Sequence, residues 1–332
     1  MRLTILIAAT CLSWLAAAPA RAEVGEVVLA KQFGLPYLPF MVMEDRGLVE
    51  KHAKALGLPD LKVRHTSIAG TGGMMDALLS GSAHVGAGGI HAMLILWDKT
   101  KGDVKGLGGL SAYDDLLVCS DPAVKSLKDL SEKNRIALPA PKVSPQAIYL
   151  QIGAAKLWGQ DSFGRLDSLT IARSHPDALA ALLSRTGEIN CYFSSPPYQE
   201  RAMREPGIHK VTSAYEMLGV SKITHAVAFM SSKFLSDNPK AGAALLAAFK
   251  ESYDIMRADL LATAQTYLRL SREKESAEWI HAILSNKNYD VTDVPYAIMK
   301  NAEFLHRIGT IKSSPKALSE VFLPGARIEG GN

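Results

Sequence analysis

Three times in this chain a polar residue and a proline follow a short apolar run. Ser144-Pro145 comes after residues 135–139, His175-Pro176 after 169–173, and Ser195-Pro196 after 188–193. The polar side chain can cap a helix while proline fixes its first turn, so each pair reads as a helix start beyond a strand end. Two glycine clusters, Gly70-Thr71-Gly72-Gly73 and Gly86-Ala87-Gly88-Gly89, read as barer versions. Glycine lets a ligand approach backbone N–H groups that carry the positive end of the helix dipole. Such a set would hold a small anion or polar group without a full ionic partner, although capping alone explains each start equally well. Neither cluster is followed by Lys-Ser or Lys-Thr, and neither fits a dinucleotide fingerprint, which disfavours nucleotides.

Other side chains gather near the same places. Phe33 and Tyr37 flank the end of the first strand, where they could stack on a ligand or pack the following helix. Ser194, Ser195 and Tyr198 form a polar lip, with Ser144 and Gln146 on a neighbouring helix start. No Gly-x-Ser-x-Gly elbow supports a serine hydrolase. His84 and His91 are separated by a strand-to-loop break and make no helical metal pair. Cys11, Cys119 and Cys191 include no CxxC and no Cys/His cluster, so neither zinc nor any other cofactor is implied.

The elements that must position these residues alternate from end to end as β-like runs and helices, the pattern of an α/β fold with largely parallel sheets. Strands are expected over 27–33, 61–65, 83–86, 104–110, 116–120, 135–139, 169–173, 188–193 and 226–230, with early helices over 40–56, 72–79 and 91–97. After residue 236 the pattern turns helical, starting with Asn238 as cap and Pro239 in the first turn. Of the 332 residues 48% are hydrophobic and 21% charged, an ordinary globular balance that can fill two cores. Residues 1–22 read as an export signal: Arg2, an apolar run from Leu3 to Ala18 too short to span a bilayer, then Ala20-Arg21-Ala22. The mature chain is expected to begin at Glu23, without lipid on Cys11, because Thr10 stands where a small residue is wanted. Removing Arg2 and Arg21 lowers the formal charge from +4 to +2, too near neutral to argue for nucleic acid or an anionic membrane.

Several segments together resemble a known family. Lys31-Gln32-Phe33-Gly34, the helix ending Glu44-Asp45-Arg46-Gly47-Leu48, and Asp76-Ala77-Leu78-Leu79-Ser80-Gly81-Ser82-Ala83-His84-Val85-Gly86 are similar to the nitrate, taurine and alkanesulfonate class of substrate-binding proteins of ABC importers. So are Val124 to Leu130 before Arg135 to Pro139, Asp177 to Leu182 before Gly187-Glu188-Ile189, Phe304 to Gly309, and Val321 to Pro324, in collinear order. The resemblance implies a two-lobed periplasmic-binding-protein fold of type II character with two chain crossovers. Lobe one would comprise residues 23–112 and 226–332, and lobe two residues 113–225. The lobes would close over a ligand in a hinge transition recognised by permease and ATPase subunits.

On that topology Thr71, Gly72, Gly73 and Gly89 would face the cleft from lobe one, and Ser144, Gln146, Ser194, Ser195 and Tyr198 from lobe two. His225 would lie at the second crossing. His91 stands where the family more usually has a small residue, which makes it a determinant of ligand identity or an ordinary helix-start residue. Cys119 and Cys191 would fall on neighbouring strands, leaving a disulfide open. The implied protein is a monomeric periplasmic carrier, not an enzyme, for a small organic or inorganic anion, with a sulfonate, carboxylate or polar heterocycle as the candidates. The alternatives are an enzyme on the same fold and a sensory subunit.

Overall fold

The structure, a computed structural model, describes residues 23–332, and the expected export segment lies outside the described residues. Eleven strands are described: β1 (Glu26–Lys31), β2 (Lys62–Ser67), β3 (Val85–Gly89), β4 (Val104–Tyr113), β5 (Leu116–Cys119), β6 (Ile136–Leu138), β7 (Thr170–Ala172), β8 (Cys191–Phe193), β9 (His209–Ser213), β10 (Thr224–Ser231) and β11 (Tyr289–Asp290). They form two sheets, one ordered β11-β4-β10-β3-β1-β2 and the other β7-β6-β8-β5-β9. The chain therefore leaves the first sheet between Tyr113 and Leu116 and returns to it at Thr224, giving a two-lobed α/β fold.

Alternate residues of each strand feed cores on opposite faces, as a sheet covered on both sides requires. Val27 and Leu29 enter one core, Val28 and Ala30 the other. In the second sheet Leu117, Ile136 and Phe193 pack on one face while Val118, Ala137 and Tyr192 pack on the other. The sheets are more mixed than expected. β1–β2, β1–β3, β6–β7 and β6–β8 are parallel, but β10 runs antiparallel to both β3 and β4, and β5 antiparallel to β8 and β9. β5 and β10 are the strands that follow the two crossings, where the chain enters a sheet from the opposite lobe; the short edge strand β11 is likewise antiparallel to β4.

Three local expectations change. The single early helix is two, Leu38–Arg46 and Leu48–Ala55, because Gly47 adopts φ 54° and terminates the first. Asn238 does not cap the helix Pro239–Ala258 with its side chain. Its Oδ1 accepts from the Val24 N–H at 2.8 Å, and the Glu23 carboxylate instead accepts from Lys240 and Ala241 N–H at 2.9 and 3.0 Å. Third, no helix begins at Ser195-Pro196. The Pro196–Pro197 peptide is cis and the helix is Tyr198–Ala202.

Cys119 and Cys191 stand directly opposite each other on β5 and β8 and are disulfide-bonded. No helix among the described residues is long and apolar enough to cross a membrane.

Candidate ligand-binding site

The two crossings lie side by side and bring an acid against a base. Asp115, in the first crossing, is fully buried, and its Oδ2 meets Nδ1 of His225 at the start of β10. The crossing is fixed by backbone bonds: the Ala214 N–H donates to the Asp115 carbonyl at 2.9 Å, and the Tyr215 N–H to Oδ1 of Asp114 at 2.9 Å. On its far side the His225 ring reaches Gln146, whose Nε2 lies 3.3 Å from Nε2 of the imidazole. The tautomer of the ring, in contact with Asp115 on one side and Gln146 on the other, decides which of these neighbours it donates to and which it accepts from. Burial lowers the His225 pKa to about 3 and raises that of the Asp115 carboxyl well above its ordinary range.

Around this pair stand aromatic and amide groups from both lobes. The Tyr113 and His225 ring centroids are 5.3 Å apart, Tyr149 and His225 6.1 Å, and His91 and Tyr149 5.4 Å. Asn301 sets the His91 tautomer. Its Nδ2 donates to the Ala297 carbonyl at 2.7 Å, which turns Oδ1 toward Nε2 of His91 at 2.8 Å. His91 therefore donates through Nε2, and Nδ1 keeps a bare lone pair. Burial takes its pKa down to about 3, so the ring is neutral. Gln32, just beyond β1, accepts from the Tyr37 hydroxyl at 3.4 Å.

Several polar atoms in this cluster are buried with no hydrogen-bond partner in the protein: Nε2 of Gln32, Nδ1 of His91, the hydroxyls of Tyr113 and Tyr149, Oδ1 of Asp115 and Oε1 of Gln146. Leaving such an atom unpaired costs about 1 to 3 kcal/mol, so a cluster of them marks a place completed by something other than the chain.

The cluster adjoins a cavity of about 370 Å³ at the mouth of the cleft, lined by Lys31, Gln32, Phe33, Gly34, Ser67, Pro176, Tyr198, Arg201, Tyr267 and Glu273 among others. Ion pairs cross between the lobes here. Arg201 binds Glu273, its Nε is 3.1 Å from Glu275, and Glu273 also accepts from the Tyr198 and Tyr267 hydroxyls at 3.2 and 2.9 Å. A backbone bond joins them as well, from Leu35 N–H to the Pro196 carbonyl at 3.1 Å. The lobes are closed.

The structure gathers Tyr37, His91, Gln146 and His225 into the buried cluster and sets Phe33 and Tyr198 at the mouth. Most of the helix starts are otherwise employed. Ser144 is a true cap, its Oγ accepting from Ala147 N–H at 3.4 Å. Ser194 donates to the Leu116 carbonyl at 2.9 Å. Gly89 lies against Pro145, which a Cβ on the glycine would meet at 2.5 Å, so these two starts from opposite lobes abut. Thr71 is buried, whereas Gly72 and Gly73 are exposed.

At 175 the expected cap is wrong. Ser174 caps, and His175 turns inward to Ser195 Oγ at 3.2 Å and the Tyr192 hydroxyl at 2.6 Å. Sequence reasoning also missed Asp115, Gln32, Tyr113, Tyr149 and Asn301. Asp115 had a signal, since the crossing argument that singled out His225 applies equally to residues 113–116. No group of three or more His, Cys, Asp or Glu residues suited to a metal ion occurs among the described residues.

No protein-family model matches the chain, and no curated protein matches it in sequence. Solved structures do match. The alkanesulfonate-binding protein SsuA from Xanthomonas axonopodis pv. citri, bound to MOPS, superimposes with a TM-score of 0.67 at 16% identity, over 92% of this chain and 98% of that one. The periplasmic nitrate-binding protein NrtA from Synechocystis PCC 6803 gives 0.67 at 14% identity, over 90% and 85%. The ligand-binding component of an ABC-type import system from Staphylococcus aureus, with zinc bound, gives 0.64 at 13%, over 91% and 98%. With β10 threaded between β3 and β4 and a polar cluster closed between two sheets, the chain carries the two-lobed fold of the periplasmic solute-binding proteins of ABC importers.

Proposed function

We propose that this chain is the solute-capturing component of an ABC importer, exported through a cleaved segment ending at Ala22 and working in the periplasm. It binds one small polar molecule between residues 23–112 with 226–332 on one side and 113–225 on the other. The closed form then docks on permease and ATPase subunits. The observation that carries this reading is the set of buried, unpartnered polar atoms contributed by both lobes and both crossings. Gln32, His91, Asp115, Gln146, Tyr149 and His225 form the binding surface, and Phe33 and Tyr198 the entrance. Because Asp115 and His225 sit on the two crossing segments, a ligand bonded to them bridges the hinge itself, which ties occupancy to closure.

The test is stabilisation without turnover. A ligand at 100 times its dissociation constant should add about 2.7 kcal/mol by mass action and raise the melting temperature. Small-angle scattering should show a more compact particle with ligand than without. Mass spectrometry should recover the ligand unchanged, and steady conversion to product would refute the carrier role.

A further inference from the structure

We propose that the captured solute is a hydrogen-bond-donating nitrogen compound without negative charge, uncharged or cationic, and not an oxyanion. The inference rests on the capture role proposed above and names its ligand class. Two of the unpartnered buried atoms offer only lone pairs. The Asp115 carboxyl, which meets the His225 ring through Oδ2, accepts when ionised and donates when protonated, so it sets no preference by itself. Gln146 Oε1 faces away from its bond to His225, and His91 Nδ1 is bare because Nε2 is committed to Asn301. Against these stands one unpartnered amide donor, Nε2 of Gln32, and the tyrosine hydroxyls can act either way.

The cations beside the interior already have partners. Among the described residues no lysine or arginine is fully buried; Lys31, which lines the cavity, lies 4.0 Å from Glu44 and donates to Ser67 Oγ at 3.3 Å, and Arg201 at the mouth is held by Glu273 and Glu275. The helix start nearest the cluster adds little, because Pro145 has no N–H, the Ala147 N–H is capped by Ser144, and Gly89 packs directly against Pro145. An oxyanion would meet lone pairs and a buried carboxyl group there, whereas N–H groups would complete the unpaired acceptors.

The experiment uses the exported chain and a bacterial metabolite extract split by ion exchange into an anionic fraction and a combined neutral and cationic fraction. Nitrate and methanesulfonate serve as separate anion probes. The neutral and cationic fraction should raise the melting temperature, and neither the anionic fraction nor the two anions should. The retained compound, isolated by mass spectrometry, should bind Asp115→Asn at least about tenfold more weakly. Should that variant not fold, Tyr149→Phe, which removes one hydroxyl, should still weaken binding severalfold. A shift carried by the anionic fraction overturns the ligand class and leaves solute capture standing. No shift with either fraction overturns capture, and the ligand class with it.

Discussion

The mouth and the interior of the cleft are built from opposite materials. At the mouth, charged side chains from the two lobes find each other: Arg201 with Glu273 and Glu275, Arg204 with Glu275, and the Arg204 guanidinium 4.2 Å above the Trp279 ring. In the interior the groups are neutral imidazoles, amides and phenols around a single carboxyl, and many polar atoms have no partner. Paired charges across the mouth hold the lobes together because each guanidinium meets its carboxylate counterpart from the other lobe. Unpaired neutral groups in a dry interior do the reverse, because each lowers stability until a ligand meets it. The difference separates closure from recognition: the mouth supplies the charged contacts that latch the closed form, and the interior is complete only with solute.

The largest expected effect breaks the neutrality of the interior with acid. His91 and His175 have pKa values lowered by burial from 6.5 to about 3. The unfolded chain therefore binds protons that the folded chain refuses, and stability present above pH 6.5 is lost as pH falls toward 3. The two rings together should contribute a slope of about 3 kcal/mol per pH unit in that window. Denaturant titrations at pH 4.5, 5.5 and 6.5 measure it. His91→Gln should flatten the slope by about 1.4 kcal/mol per unit, and an unchanged slope would mean the ring is charged or solvated.

A smaller effect belongs to the mouth. Arg201 and Glu273 are mostly buried, with side chains 19% and 15% exposed, and Arg201→Gln removes charge-assisted bonds worth about 1.5 to 3 kcal/mol. The variant should scatter as a more open particle and bind ligand more weakly, without altering the acid slope. If its radius of gyration matches the parent's, closure does not depend on these charges. Smallest of all is Lys222→Gln. Its pair with Asp290 spans 2.7 Å but both side chains are nearly half exposed, so the loss should stay within about 1 kcal/mol and fade with salt. A larger change would show that the second crossing, and not the mouth, holds the lobes closed.

How much of this was legible in the sequence depends on the range of the signal. Strand cores such as Val27 to Ala30 and caps such as Ser144 are written locally, in apolar runs and in a serine before a proline, and they fall where the pattern places them. The return of the chain to the first sheet rested on collinear family resemblance, because no local pattern says that β10 belongs between β3 and β4. Within the site, Tyr37, His91, Gln146 and His225 were named from their places at strand ends and at a crossing. Asn301 was out of reach: it lies 210 residues from the histidine whose tautomer it sets, on the buried face of a helix beside Ile298, Ala302 and Leu305. His175 was misread as a cap because the neighbouring Ser174 offered the better oxygen.

The position of β10 also bears on the order in which the molecule can come into being. β5 to β9 are contiguous in sequence, so the second sheet can assemble from one stretch of chain. β3 and β4 do not pair with each other. Until residues 224–231 arrive, the first sheet exists only as the fragment β2-β1-β3 and a separate β4, with β10 as the strand that joins them. The same strand carries His225 to Asp115. The step that unites the first sheet is thus the step that creates the binding cleft, and no partly folded form lacking β10 can hold the solute in it.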